Sequence, residues 1–252
     1  MSYITTIGVI GLGNAGAPIL NNLNKSNKYK LVTFDIDSKK LNDVPDNVVK
    51  ATSIKNLAVQ CNVVLTCLPK PEHVLEAVDG KEGLLQNAST GMVWIDTSTT
   101  NFKQTQELAR KASTYGVSML EATLTGGVHA LQNNNMVCLA GGDEDTFNLW
   151  KEVLQDAIGE VVVLCGKVGA GAIAKVVSNM LAFTNMVAAS ECMMIAKKAG
   201  LDLENFFDAI RVSAGNSFAW ETVVPHIFNQ KYESGFTMDL ACKDMNLSYL
   251  LG

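Results

Sequence analysis

The 252-residue sequence is poor in the residues that build metal sites. It holds only three histidines, and its six cysteines show neither CxxC nor Cys/His spacing. Because metal centres in proteins need several such ligands at short spacings, the sequence predicts no metal site. Several of the cysteines stand inside apolar runs, as reduced thiols of cytoplasmic proteins do, and we expect a cytoplasmic protein.

Positive charge and uninterrupted hydrophobic runs are also scarce. Lysine and arginine number 20 against 25 aspartates and glutamates, and the net charge of −5 argues against a nucleic-acid partner. Residues 169–198 are long enough for a membrane span, but polar side chains interrupt them at Lys175, Asn179, Asn185 and Glu191. Strand-like sequence already begins at Ile4, so we expect neither a signal peptide nor a membrane partner.

What the chain does contain is a regular alternation of strand and helix patterns up to residue 164. This alternation predicts an α/β domain with a mostly parallel sheet over residues 1–164. Residues 165–252 show helical patterns alone, which predicts a long linking helix and an all-α C-terminal domain. The last pattern meets the C-terminus without a stop signal, so we expect a truncated helical domain. The apolar surface of such a domain predicts a homo-oligomer.

A glycine-rich turn follows the first predicted strand and precedes a predicted helix. It has the pattern G-x-G-x-x-G and consists of Gly11, Leu12, Gly13, Asn14, Ala15 and Gly16. In dinucleotide-binding domains of the Rossmann type, the first glycine permits the tight turn and the second lets the backbone approach the pyrophosphate. The third allows the helix to pack on the strand. The turn and its flanking elements therefore predict a dinucleotide site in this domain.

An acidic residue at the end of the second predicted strand indicates which dinucleotide binds. Asp35 can accept hydrogen bonds from both ribose hydroxyls of NAD. A 2′-phosphate would meet Asp35 and Asp37, so NAD is favoured over NADP. Lys39 and Lys40 stand close by in the sequence and keep NADP open as the less favoured cofactor.

One compact polar patch marks the long linking helix. Lys175, Ser178 and Asn179 fall on one face of a helix that is otherwise apolar almost all round, so most of it should be buried. A buried ammonium is costly unless it has a partner or a task. The alternative is a lysine whose stem is buried and whose amine reaches solvent.

Taken together, these features resemble the 3-hydroxyisobutyrate dehydrogenase family, the β-hydroxyacid dehydrogenases. Six blocks carry the resemblance in order along the chain: 11–16, Leu68-Pro69, 95–99 (Ile-Asp-Thr-Ser-Thr), 121–127 (Glu-Ala-Thr-Leu-Thr-Gly-Gly), Gly169-x-Gly171-x-x-x-Lys175-x-x-x-Asn179 and Lys243-Asp244. The family uses NAD or NADP to oxidise small 3-hydroxy acids, so the resemblance implies hydride transfer between NAD and an acid similar to 3-hydroxyisobutyrate.

The resemblance also implies roles for single residues. Lys175 would be the catalytic general acid and base, and Asn179 would bind the substrate. The substrate carboxylate would lie against Thr125, Gly126 and Gly127. The further cofactor contacts that the family pattern implies are Leu68, Pro69, Thr99 and Lys243.

Three positions depart from the family pattern. Thr125 replaces the usual serine, Asn134 stands where glycine is common, and Thr123 replaces a proline, which predicts a less pre-organised loop.

Two other functions stay open. An oxidative decarboxylase of the 6-phosphogluconate type would need cations near this loop, which offers none; a non-catalytic NAD-binding module would have no reason to bury Lys175.

Overall fold

The computed structural model describes residues 5–126, 128–230 and 237–251, and for Val128 and His129 the backbone alone. The chain forms two compact units, Met1–Lys175 and Val176–Gly252. Gly127, a predicted substrate residue, lies outside the described residues.

The first unit is built on one sheet of eight strands. In chain order these are β1 (Thr6–Ile10), β2 (Lys30–Phe34), β3 (Val49–Lys50), β4 (Val63–Thr66), β5 (Val93–Asp96), β6 (Ser118–Thr125), β7 (Val137–Gly142) and β8 (Val162–Leu164). Their order across the sheet is β3-β2-β1-β4-β5-β6-β7-β8. The pairs from β3 to β6 are parallel, β6 and β7 are antiparallel, and β7 and β8 are parallel again. This is the predicted mostly parallel sheet, with the strand order of a Rossmann fold.

The helices of the described chain confirm the predicted change of pattern near residue 165. The first unit carries α1 (Gly16–Ser26), α2 (Ile54–Ala58), α3 (Pro71–Asp79), α4 (Leu84–Asn87), α5 (Phe102–Thr114), α6 (Val128–Gln132) and α7 (Glu144–Ala157), with a 3₁₀ turn at Ser38–Leu41. The linking helix is α8 (Ala170–Lys198), followed by α9 (Leu203–Arg211), α10 (Phe218–Phe228) and α11 (Met238–Tyr249).

Both faces of the sheet in the first unit are apolar, and helices cover each of them. Strand residues alternate between two buried clusters, so that Ile7 and Val9 contribute to one and Ile10 to the other. Strands buried on both faces read as continuous apolar runs, which is why the sequence reveals them so clearly. Strand order reverses between β1 and β4, and the crevice at the carboxyl ends of these strands is where such sheets bind ligands.

The second unit has a small aromatic core of its own. Trp220 stacks on Phe207 and meets Phe206 edge-on, with ring centroids 5.9 and 5.7 Å apart. The Trp220 indole N–H donates to the carbonyl oxygen of Phe207 at 3.1 Å. Ala189 and Met193 of α8 complete this cluster, which therefore anchors the C-terminal half of that helix.

The prediction that α8 is mostly buried is wrong for this chain. Its most exposed apolar side chains include Val177, Leu181, Val187, Met194 and Ile195. The helix is apolar around its whole circumference, and the chain covers only part of it. By length and composition alone α8 could cross a membrane, so its polar residues do not exclude a membrane span. Length and composition are by themselves weak evidence for such a span, because core helices of other proteins meet the same criteria. The homo-oligomer stays a prediction.

Candidate active site

The glycine-rich turn after β1 has the geometry that a dinucleotide pyrophosphate requires. Gly11 adopts a φ of +93°, which favours glycine. A Cβ added to Gly16 would overlap the carbonyl oxygen of Gly11, so glycine is needed for α1 to start this close to the turn. A Cβ on Gly13 would meet nothing within 4 Å, which leaves open space beside that backbone.

The start of α1 could bind an anion. Its N-cap residue, Ala15, supplies no capping hydrogen bond from its side chain, and Asn14 before it is exposed. The first amides of a helix carry partial positive charge and need an acceptor. An uncapped helix start behind a glycine turn is a ready site for a phosphate, so these residues fit a dinucleotide cofactor.

Asp35, directly after β2, is held in place by the turn itself. Its Oδ2 accepts a hydrogen bond from the Leu12 amide at 2.6 Å, and its Oδ1 accepts one from the Asp37 amide at 2.8 Å. The Lys40 ammonium lies 3.4 Å from Oδ2. The carboxylate is therefore held beside the glycine-rich turn, and Lys40, one of the two lysines that keep NADP open in the sequence analysis, pairs with it.

A hydrogen-bonded network joins the ends of β4 and β5. The Leu68 amide donates to the Ser98 hydroxyl at 3.0 Å, and Ser98 in turn donates its amide to Asp96 Oδ1 at 3.1 Å. The Thr66 hydroxyl donates to the same oxygen at 2.8 Å. Burial raises the pKa of Asp96 to about 6, and the hydrogen bonds from Ser98 and Thr66 oppose that rise. This network fixes the backbone at Leu68.

The other predicted residues of this region differ in exposure. Pro69 is exposed and Thr99 is half-buried. Thr125 is the last residue of β6 and also half-buried, and Gly126 follows with a φ of +126°. Asn134 has a φ of +50°, a left-handed conformation that asparagine tolerates better than most residues.

The sequence pattern suggested a loop at Thr123, but the structure places this residue in a strand. Thr123 lies within β6, paired with Leu139 of β7, and only 2% of it is exposed. Its hydroxyl lies 2.9 Å from the carbonyl oxygen of Leu139 and 3.2 Å from that of Gly171. The Thr123 side chain is thus held by a hydrogen bond to the backbone of its neighbours.

Glu121 of β6 reaches the start of α8. Its Oε2 accepts hydrogen bonds from the amides of Gly169 at 2.9 Å and Gly171 at 3.0 Å. Only 1% of Glu121 is exposed, and burial raises the pKa of its carboxyl to about 7 against the opposing effect of these bonds. Lys175 follows Gly171 by one helical turn and is itself only 9% exposed.

In the second unit, Asn179 belongs to a buried polar group. Its amide Nδ2 donates to Asp244 Oδ2 at 2.6 Å, and the Lys243 ammonium lies 3.2 Å from Asp244 Oδ1. Asp244 is 2% exposed. A buried carboxylate fixes the orientation of the Asn179 amide, which leaves its carbonyl oxygen as the acceptor end.

Sequence reasoning missed the partners that hold the site residues. It quoted Glu121 and Asp244 within motifs but gave them no role, and it did not pair Lys40 with Asp35. One signal was available: Glu121 is an acid within a strongly apolar strand, and a buried acid needs donors. Which donors it finds is a matter of tertiary structure, since they lie 48 and 50 residues further along the chain.

Two family models together match almost the whole chain. Residues 6–166 match the NAD binding domain of 6-phosphogluconate dehydrogenase. Residues 169–251 match the model described as NAD-binding of NADP-dependent 3-hydroxyisobutyrate dehydrogenase. Human mitochondrial 3-hydroxyisobutyrate dehydrogenase is 32% identical over 254 residues, covering 97% of this chain and 74% of the human protein. The chain belongs to the 3-hydroxyisobutyrate dehydrogenase family. The resemblance seen in the sequence blocks is confirmed.

Solved structures agree with this family membership. The 3-hydroxyisobutyrate dehydrogenase of Mycobacterium tuberculosis, solved with L-serine, is 29% identical with a TM-score of 0.90, covering 98% of this chain and 86% of that one. An imine reductase from Myxococcus stipitatus shares only the fold, at 14% identity and a TM-score of 0.70 over 90% of this chain and 78% of its own. As a family member, the chain is an NAD(P)-dependent oxidoreductase that acts on a CH–OH group.

Proposed function

We propose that the protein oxidises a short 3-hydroxy acid of the 3-hydroxyisobutyrate type, with NAD as the preferred cofactor and Lys175 as general base. The observation that carries the proposal is the burial of Lys175 one turn into a helix whose first amides are tied to β6. Relatives named 3-hydroxyisobutyrate dehydrogenase support the choice of substrate class.

Oxidation of an alcohol releases a hydride and a proton. Bound NAD supplies the acceptor for the hydride. Lys175 takes the proton from the substrate hydroxyl, and in the reverse direction its ammonium returns the proton to the oxygen. General acid and base catalysis of this kind requires the nitrogen within about 2.6–3.2 Å of the reacting oxygen. A rigid start of α8 meets this demand better than a flexible segment.

The remaining predicted residues bind and orient. Gly11, Gly13 and the first amides of α1 would hold the pyrophosphate, and Asp35 the ribose. Thr125 and the backbone of Gly126 and Gly127 would bind the substrate carboxylate, and the Asn179 side chain would bind a second oxygen. Backbone amides suit a carboxylate because they donate hydrogen bonds without adding bulk.

The decisive experiment compares turnover and cofactor binding in one set of variants. Wild-type protein is mixed with NAD and 3-hydroxyisobutyrate, 3-hydroxypropionate or L-serine, and absorbance of the reduced cofactor is followed. L-serine enters because a relative was solved with it. Lys175→Ala should lower kcat by about 10²- to 10⁴-fold, the usual contribution of a general base, while calorimetry shows unchanged NAD binding.

Two further variants separate proton transfer from charge. Lys175→Arg keeps the positive charge but cannot act as a base near neutral pH, so it should be as inactive as Lys175→Ala. Lys197→Ala removes an exposed lysine from the same helix and should leave kcat unchanged. Wild-type turnover in Lys175→Ala, or in Lys175→Arg, contradicts the proposed role.

A further inference from the structure

Glu121 is a buried ionisable group that the proposed mechanism does not use. Its carboxylate takes the place of a local N-cap for α8, because it accepts hydrogen bonds from the amides of Gly169 and Gly171. Helix starts are usually capped by a side chain next to them in sequence. Here the acceptor comes from the neighbouring sheet, so β6 binds the first turn of α8.

The backbone around Glu121 is shaped to admit its carboxylate. A Cβ added to Gly141, its register partner on β7, would overlap Glu121 Oε2. A Cβ on Gly171 would lie 3.0 Å from the carbonyl oxygen of Leu139 and 3.1 Å from the same Oε2. Glycine at both positions is therefore what allows the acid, the strand and the helix start to approach so closely.

Thr123 adds a second tie between the same two elements. Its hydroxyl lies within hydrogen-bond distance of the carbonyl oxygen of Gly171. Gly171 is also the residue whose amide donates to Glu121. Gly171 is thus bound at its amide by Glu121, and its carbonyl oxygen lies 3.2 Å from the Thr123 hydroxyl, whose one proton is shared with the nearer carbonyl oxygen of Leu139. Four residues further along the helix stands Lys175.

We propose that Glu121 is a positioning residue whose ionised carboxylate fixes the start of α8 and thereby the place of Lys175. Its catalytic consequence rests on the function proposed above. Hydrogen bonds from amides to a carboxylate are about twice as strong as those to a neutral oxygen. Protonation of Glu121 therefore weakens the hold on Gly169 and Gly171 without removing it.

The surroundings place this protonation within the physiological range. Asp96 of β5 is the register partner of Glu121 and, being a like charge, adds to the raised pKa that burial causes. Cys165, just after β8, also interacts with Glu121, and β7 contributes no charge at its partner Gly141. On α8 the first ionisable side chain is Lys175. Since the pKa of Glu121 is about 7, the hold on α8 should strengthen as the pH rises through neutrality.

Nuclear magnetic resonance can observe this hold directly. Val168-Gly169 is the only Val-Gly pair in the sequence, so labelling valine with ¹³C at the carbonyl and glycine with ¹⁵N selects the Gly169 amide alone. Its resonance should shift with pH, with a midpoint near 7, and this titration should be absent in Glu121→Gln. A Gly169 amide that does not titrate, or that titrates identically in Glu121→Gln, overturns the proposal.

Kinetics test the effect on the lysine, with 3-hydroxyisobutyrate and NAD as the probes. Glu121→Gln should lower kcat about tenfold with the KM for NAD within twofold of wild type, and Glu121→Asp, which restores the charge, should recover part of the loss. Asp143→Asn is the matched control, because Asp143 caps α7 with its carboxylate and that helix carries no proposed catalytic group. It should leave kcat unchanged.

The two experiments fail in different ways. An unchanged kcat in Glu121→Gln contradicts the positioning role even if Lys175→Ala is inactive. A fully active Lys175→Ala contradicts the proposed function, while the Gly169 titration still decides whether Glu121 holds α8. Equal losses of kcat in Glu121→Gln and Asp143→Asn would indicate a general loss of stability and also overturn the proposal.

Discussion

Relative to wild type, Glu121→Gln should gain stability as the pH rises, although we expect this substitution to slow the enzyme. Burial raises the pKa of Glu121 from its ordinary value of 4.5 to about 7, so the folded protein binds this proton more tightly than the unfolded chain does. The stabilisation from proton binding is complete below about pH 4.5 and is lost as the pH rises through about 7. A pKa difference of roughly 2.5 corresponds to about 3 kcal/mol.

Part of this range is accessible in thermal and urea unfolding experiments. From about pH 5.5 to about pH 7.5 the free energy of unfolding of Glu121→Gln should rise by about 2 kcal/mol relative to wild type, which is about 4–8 °C in Tm for a chain of this size. Asp143→Asn is again the control, since the pKa of exposed Asp143 is lowered and its effect falls at more acidic pH. A difference between Glu121→Gln and wild type that stays constant over this range would refute the reasoning.

Three other perturbations follow from the site. Gly16→Ala should abolish NAD binding in calorimetry, because the added Cβ overlaps the Gly11 carbonyl oxygen, and NAD affinity equal to wild type would contradict this. Lys40→Ala should lower kcat/KM for NADP at least tenfold more than for NAD, since it removes the cation beside Asp35; equal losses would show that Lys40 does not bind a 2′-phosphate. Asp244→Ala should raise the KM for 3-hydroxyisobutyrate about tenfold, because the Asn179 amide loses its charged acceptor, and an unchanged KM would remove Asn179 from the substrate site.

Sequence patterns predicted the elements whose cause is local. The turn at Gly11 needs only a strand, three glycines and a helix, and each is visible in the sequence. The sequence did not predict strand β3, because it has two residues, both exposed, and therefore no apolar pattern. The helices α2, α4 and α6 were not predicted for a similar reason, since each spans at most five residues and completes little more than one turn.

The contacts that position side chains could not be predicted in this way. Asp35 was expected at the ribose, yet its bond to the Leu12 amide and its ion pair with Lys40 depend on how β1 and β2 meet. The contact of the Thr123 hydroxyl with Gly171 could not be predicted either, because it arises only once β6, β7 and the start of α8 are assembled. The overall apolar character of α8 was read correctly, but its burial depends on tertiary packing, which an apolar pattern alone does not specify.

The starts of α1 and α8 show how one physical feature serves two ends. Both expose amides that attract negative charge. At α1 the N-cap residue Ala15 supplies no side-chain cap, so the amides are available to an external anion such as the cofactor pyrophosphate. At α8 the protein's own carboxylate, Glu121, occupies the same kind of position, and in our proposal it costs stability but fixes the first turn of the helix. A helix that carries a proposed catalytic lysine benefits from such a fixed start, because small displacements of the nitrogen are costly to proton transfer. We therefore interpret the buried Glu121 as a residue that lowers the stability of the fold but fixes the start of α8.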